Sequence, residues 1–415
     1  MACRKERRLP AYVLVLLVAL PLATLGLGAY VALAPSGKAG NTPIALGSLN
    51  GGFHPVAGTF KPDATDLARC GDGDYICLEQ GFGNIAYRVG PKAALALFTK
   101  RIGTDKGVNY DCHRIAHSIG SASFARFHGN VAKTFSLGSS VCASGYYHGV
   151  LERAFVGVTS KTGLVRVARR LCLAANIRTR SYLDYQCEHG LGHGLMIESG
   201  YDLPLALSVC HRLASGWDTV ACKSGAFMEN INTRYGFRSP WVKDDDPLYP
   251  CEQMRVRDRS SCYSRASGRS LDLDHHDYTA TVKTCRQVDR PWRLSCFRGL
   301  GRDIAVDAGF VAKTILAHCS LAGTATGDCL YGAARTLGDT YAWNAVERVE
   351  ALCGGAPRLL QNRCYAGFGI VLGLLNPTDQ ARARACVRVA GRHARACLRS
   401  AVAEVDPSGR WSWGG

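Results

Sequence analysis

The sequence predicts an all-α protein, a solenoid-like array of disulfide-stapled αα-hairpin repeats with a period of about 34 residues, following an N-terminal transmembrane helix. Three observations predict it. The cysteines fall into two interleaved periodic sets, helix-like runs end on one set and begin on the other, and a long apolar run lies near the N-terminus.

Residues 1–10 carry Arg4, Lys5, Arg7 and Arg8, and residues 11–34 form an apolar run of 24. A bilayer-spanning helix needs ~20 residues. The basic flank is expected to stay cytoplasmic, which places the main domain outside as a single-pass, extracytoplasmic membrane protein. A cleaved signal peptide fits less well, because its apolar region runs to ~7–15 residues. Pro35 also disfavours cleavage after Ala34.

Residues 35–64, rich in Gly, Pro and Ser, read as a linker. Of the 19 cysteines only Cys3 precedes the apolar run, and the other 18 suffice for nine bridges in an oxidising compartment. Cys70 and Cys77 suggest a short first hairpin. Cys112 and Cys142 both look like second-helix cysteines without first-helix partners, so pairing them would tie adjacent hairpins together.

From there the pattern is regular. Cys172, Cys210, Cys251, Cys285, Cys319, Cys353 and Cys386 advance by 38, 41, 34, 34, 34 and 33 residues. Cys187, Cys222, Cys262, Cys296, Cys329, Cys364 and Cys397 follow them by 15, 12, 11, 11, 10, 11 and 11. The first cysteine closes a run such as 344–353, and the second opens one such as 364–375, stopped by Asn376 and Pro377. Each unit is therefore expected to be a helical hairpin bridged across its turn, in one elongated array. The array divides into N-terminal repeats over 65–235, C-terminal repeats over 236–405, and a tail over 406–415.

Many second helices begin Cys-x-x-Gly, at Cys142, Cys187, Cys222, Cys296, Cys329 and Cys364. Glycine one turn into a helix most simply lets a neighbour pack closely. Gly190, Gly192 and Gly194 likewise weaken their own helix and imply a close backbone approach.

The histidines follow the same grammar. His113 and His117 are i and i+4 behind Cys112, His189 and His193 are i and i+4 behind Cys187, and His148 and His193 each stand six residues after a cysteine. Side-by-side second helices would gather these five imidazoles into one cluster, the candidate metal ligands. The first pair is offset by one residue from the second, relative to their cysteines. Imidazole-only donors suit a transition metal, with copper or iron preferred and zinc possible, since paired cysteines would not compete as thiolates. His211 and His128 are weaker candidates outside the pattern. His275 and His276 sit in a separate acidic patch that suits a helix cap.

Glu152 stands one turn beyond His148, and Glu229 lies in an apolar context seven residues after Cys222. Both are candidate catalytic proton carriers. Tyr147 is the third candidate catalytic residue, expected with Tyr146 and Tyr185 to line the pocket. Asp111 and Glu188 flank the same motifs.

These residues predict a metal-dependent enzyme, first an oxidase or oxygenase and second a zinc-dependent hydrolase. The reading from another class is a non-catalytic repeat scaffold for an acidic partner, which the formal net charge of +17 favours. A metal store or chaperone is a further alternative. Phosphate-loop, dinucleotide, nucleophile-elbow and haem-attachment motifs are missing, as are nucleic-acid motifs. The expected partners are thus the membrane, through the N-terminal helix, and an unidentified substrate, for which the basic charge favours acidic groups.

Overall fold

Helix-forming runs punctuated by cysteine pairs fold as nineteen α-helices among the described residues: α1 (Tyr75–Arg88), α2 (Pro91–Ile102), α3 (Lys106–Tyr110), α4 (Cys112–Arg126), α5 (Val131–Phe135), α6 (Gly145–Glu152), α7 (Lys161–Ala174), α8 (Tyr182–Glu198), α9 (Leu203–Cys210), α10 (Gly216–Ile231), α11 (Val256–Leu273), α12 (Tyr278–Gln287), α13 (Arg290–Asp307), α14 (Ala312–Ser320), α15 (Thr326–Tyr341), α16 (Val346–Gly355), α17 (Arg358–Leu375), α18 (Asp379–Ala390) and α19 (Ala394–Ala401). The two-residue strands β1 (Glu404–Val405) and β2 (Trp411–Ser412) pair antiparallel after them. The structure is a computed structural model describing residues 60–405, except 72, 143, 159, 175–176, 179 and 232–238, together with 411–412. The expected anchor over 11–34, its basic flank and nearly all of the linker lie outside the described residues. No helix among the described residues is long and apolar enough to cross a membrane.

Local chemistry sets the helix starts. Ser181, Asp202 and Thr378 cap α8, α9 and α18 by accepting from the amides of Asp184, Leu205 and Ala381. Proline occupies the first turn of α2, α9 and α13, where its missing N–H costs nothing.

Nine disulfides form among the described residues, and seven of them join the cysteines that the regular spacing pairs. Cys70–Cys77 closes the first turn, and Cys112–Cys142 links α4 to the approach to α6. Cys172–Cys187, Cys210–Cys222, Cys251–Cys262, Cys285–Cys296, Cys319–Cys329, Cys353–Cys364 and Cys386–Cys397 span hairpin turns. So many bridges belong in an oxidising environment. One unit departs from the expected helical hairpin: its first member is only a 3₁₀ turn, Cys251–Gln253. Pro247 and Pro250 explain this, since each removes a backbone donor and restricts the residue before it.

The second helices pack in a row, α1 on α4, then α6, α8, α10, α11, α13, α15, α17 and α19. The row is not elongated as expected. It coils, so that α17 returns to touch α8. Across that closure Arg335 donates to the Tyr185 hydroxyl at 3.1 Å, Arg180 to the Ala403 carbonyl at 2.7 Å, and the Tyr182 hydroxyl to the Asp339 carbonyl.

Glycine accounts for the coil. A Cβ added at Gly149 would lie 1.9 Å from the His117 carbonyl oxygen, at Gly192 2.0 Å from that of Cys222, and at Gly225 1.9 Å from that of His189. The C-terminal units repeat it, with Gly299, Gly332 and Gly367 placed 2.2, 1.9 and 2.1 Å from the carbonyl oxygens of Ser264, Arg298 and Tyr331. Inner helices held at glycine distance, beside outer helices carrying full side chains, make each unit a wedge. Stacked wedges curve, and their inner edges come to surround a common space.

Candidate metal centre

The same close packing brings the histidines together. His113 and His117 on α4, His148 on α6, and His189 and His193 on α8 form one cluster. Ring centroids are 5.3 Å apart for His113 and His148, 5.4 Å for His117 and His193, and 4.8 Å for His148 and His189. His113 is partly buried and the other four are buried. The one-residue offset of the first pair does not disperse the cluster. Cys112 is bridged between hairpins rather than within one, so the register of α4 is set independently of the later units.

Three of the rings are oriented from behind. His113 Nδ1 lies 2.8 Å from the Cys142 carbonyl oxygen, which only accepts, so that nitrogen carries the proton. His117 Nδ1 is bonded to Glu152, and His193 Nδ1 lies 2.8 Å from Glu229 Oε2. Glu229 in turn accepts from the Tyr201 hydroxyl at 2.7 Å. Burial pushes the Glu152 carboxyl up, but His117 and then Arg114 outweigh it and hold the group down at about 2. It is therefore an ionised acceptor. Carboxylate or carbonyl behind Nδ1, with Nε2 facing forward, is the arrangement that orients metal-ligating histidines.

The forward nitrogens converge. His113 Nε2 and His117 Nε2 are 3.0 Å apart, and His189 Nε2 and His193 Nε2 are 3.3 Å apart. With Nδ1 protonated on both His113 and His117, two lone pairs oppose each other unless a cation lies between them. A proton is disfavoured there, because burial presses the proton affinities of His113 and His117 below the ordinary value. A metal ion relieves the opposition. Two nitrogens at ~2.0–2.1 Å from one ion stand about 3.3 Å apart at a tetrahedral angle and about 2.9 Å apart at a right angle. Two groups are disposed to hold such an ion, His113 with His117 and His148, and His148 with His189 and His193. Within each, one nitrogen per residue lies within 4.8 Å of the others. Glu152, His193 and Glu229 form a third group on the same criterion.

A cavity of about 310 Å³ opens in front of the cluster. All five histidines line it, with Tyr185 and Gln186, whose Oε1 lies 3.3 Å from His148 Nε2. Glu152 and Glu229 do not line it. They stand behind His117 and His193, as orienting groups and as routes for a proton leaving those rings. Tyr146 and Tyr147 also miss the cavity, contrary to expectation. Tyr147 packs on Phe135 and Tyr146 at ring separations of 5.0 and 5.6 Å, because one residue back from His148 turns a side chain about 100° round the helix. Tyr185, four residues before His189, shares the histidine face.

Other candidates lie elsewhere. His211 pairs with Asp258 at 2.9 Å, and Glu188 borders a separate small pocket beside Trp217, where burial raises its carboxyl to about 9. His276 reaches the cavity mouth and bonds Asp307 through Nδ1 at 2.8 Å.

Sequence reasoning missed the opposite wall, built by Arg265, Arg302, Asp303, Thr336 and Asp339. A signal was present. His148, His193, Met228, Gly268 and Arg302 all stand six residues after their cysteines, and all line this cavity. Compared with known families, curated proteins and solved structures, the chain matches none.

Proposed function

We propose that this protein is a membrane-anchored, extracytoplasmic metal-dependent enzyme whose centre is held by His113, His117, His148, His189 and His193, and that it acts as an oxidase or oxygenase. The supporting observation is the opposition of His113 and His117 Nε2 at 3.0 Å with the Nδ1 atoms already committed. All donors are neutral imidazoles and every cysteine of the described residues near them is bridged, which favours copper or iron. Such an ion, held by these histidines, would supply redox chemistry with dioxygen. The chain's own part is to hold the donors rigidly, with Glu152 and Glu229 fixing the imidazoles and carrying protons away from them. Membrane attachment rests on the apolar run 11–34 alone.

Zinc-dependent hydrolysis is the second reading. The 3.3 Å separation of His189 and His193 Nε2 supports it, being the spacing of a tetrahedral pair. A scaffold that only displays a basic surface gives no reason to oppose imidazole lone pairs in a buried cluster.

Oxygen uptake separates these readings. Reconstituted with copper or iron and given a reductant, the chain is expected to consume oxygen, and the His189→Ala, His193→Ala double variant is not. Equal uptake by both proteins, or hydrolysis of ester or phosphoester substrates with zinc alone, contradicts the redox assignment.

A further inference from the structure

The wall facing the histidines carries a charge arrangement that neither packing nor the metal centre requires. In the second helices from Cys187 to Cys364, the residue three places after the cysteine is glycine in every unit but one, and that one has Arg265. A long cation thus replaces the residue that elsewhere permits close packing. Arg265 is only 8% exposed, and it lines both the histidine cavity and an adjoining recess of about 110 Å³.

Three guanidiniums, of Arg265, Arg302 and Arg335, share two carboxylates here, those of Asp303 and Asp339, both of which attract Arg265. Arg302 is paired with Asp303 at 2.6 Å, and Arg335 with Asp339 at 3.4 Å. Arg265 donates to the neutral Ser224 hydroxyl at 2.7 Å, and its Nε has no protein acceptor. Burial, and then repulsion from Arg302, lower its proton affinity to about 9. A buried guanidinium whose nearby carboxylates are each paired directly with another arginine is costly to keep unless a ligand completes it. The recess adds hydroxyl donors, with Ser224, Ser260, Ser264 and Ser295 lining it. Asp272 and Asp307 stand at the cavity's other end, where Asp307 is held by His276 and Tyr278.

We infer that Arg265 and the serine-lined recess bind an oxyanion group, carboxylate or phosphate, of a small substrate whose other end lies against the five histidines. This rests on the catalytic reading above and names the class of molecule that enters the same cavity. The five residues shared by the two spaces, Tyr185, Arg265, Arg302, Thr336 and Asp339, place them side by side. A ligand anchored at Arg265 therefore presents its far end to the imidazoles.

The test is titration of inorganic phosphate and of acetate into the full-length chain, metal-free and metal-loaded, at constant ionic strength, following the melting temperature. Saturable stabilisation of the metal-free chain is expected from at least one anion, weakened ten-fold or more by Arg265→Met at unchanged metal content. Response to phosphate alone assigns a phosphoryl group, and response to acetate alone a carboxylate. Stabilisation by neither anion, or equal affinities in wild type and variant, overturns the inference. Should Arg265→Met fail to fold, Arg265→Lys, which keeps the charge, is expected to lower anion affinity several-fold, and unchanged affinity is again contradictory. Anion binding that survives while no metal binds would sink the metal centre and leave this site standing.

Discussion

Gly192→Ala is expected to cost at least about 3 kcal/mol of stability and to abolish metal binding. The new Cβ would sit 2.0 Å from the Cys222 carbonyl oxygen and 2.5 Å from the Ala226 amide nitrogen. Backbone cannot rotate away as a side chain can, so α8 and α10 must separate by more than an ångström. That movement carries His189 and His193 with it, because both lie on α8 within three residues of the substitution. Gly354→Ala is the control. It lies in α16 with no atom within 4 Å of an added Cβ, and helix propensity there favours alanine by about 1 kcal/mol. Urea denaturation checks both, and a Gly192→Ala protein as stable as wild type would contradict the packing account.

Reduction of the disulfides is expected to abolish cooperative folding. Closing a loop of about a dozen residues contributes about 3 kcal/mol by restricting the unfolded chain. Nine such bridges together exceed the ~5–15 kcal/mol by which domains are stable. Cys187, Cys210, Cys222, Cys285, Cys296 and Cys319 are fully buried, so their bridges yield to reductant only after local opening. Cys70–Cys77 and Cys112–Cys142, with all four cysteines partly exposed, are expected to go first. Circular dichroism during titration with a thiol reductant reads the result, and a fully reduced chain that still melts cooperatively would contradict it.

Much of the fold was legible because covalent and steric constraints leave direct marks. A disulfide across a turn forces a fixed cysteine spacing, and the two cysteines outside that spacing, Cys112 and Cys142, had only each other. Close helix contact demands glycine, as the carbonyl contacts of Gly299, Gly332 and Gly367 show. The histidine cluster was legible for a related reason, since equal distance from a staple means equal depth and direction along neighbouring helices. What escaped was curvature. Nothing in the spacing states how far each wedge turns, so the approach of α15 to α8, which brings Arg335 to Tyr185, could not be foreseen. The same curvature brings Arg265 and Arg302 to face the histidines across the cavity, which spacing along the chain does not state. Tyr147 departs from expectation because adjacency in sequence to His148 is not adjacency in the site: one residue along a helix turns a side chain about 100°. Glu152 and Glu229 stand out in the sequence, but their place behind His117 and His193 follows from how α6 and α10 pack on their neighbours.

The central claim is that the five histidines hold metal, and elemental analysis tests it most directly. The oxidised full-length chain, purified without metal-affinity chromatography, is compared with the variant in which His113, His117, His148, His189 and His193 are all alanine. The account predicts one or two equivalents of copper, iron or zinc in the wild type and none in a variant whose helical circular dichroism is retained. Metal at the same stoichiometry in the variant, or none in the wild type after reconstitution with each ion, would contradict it.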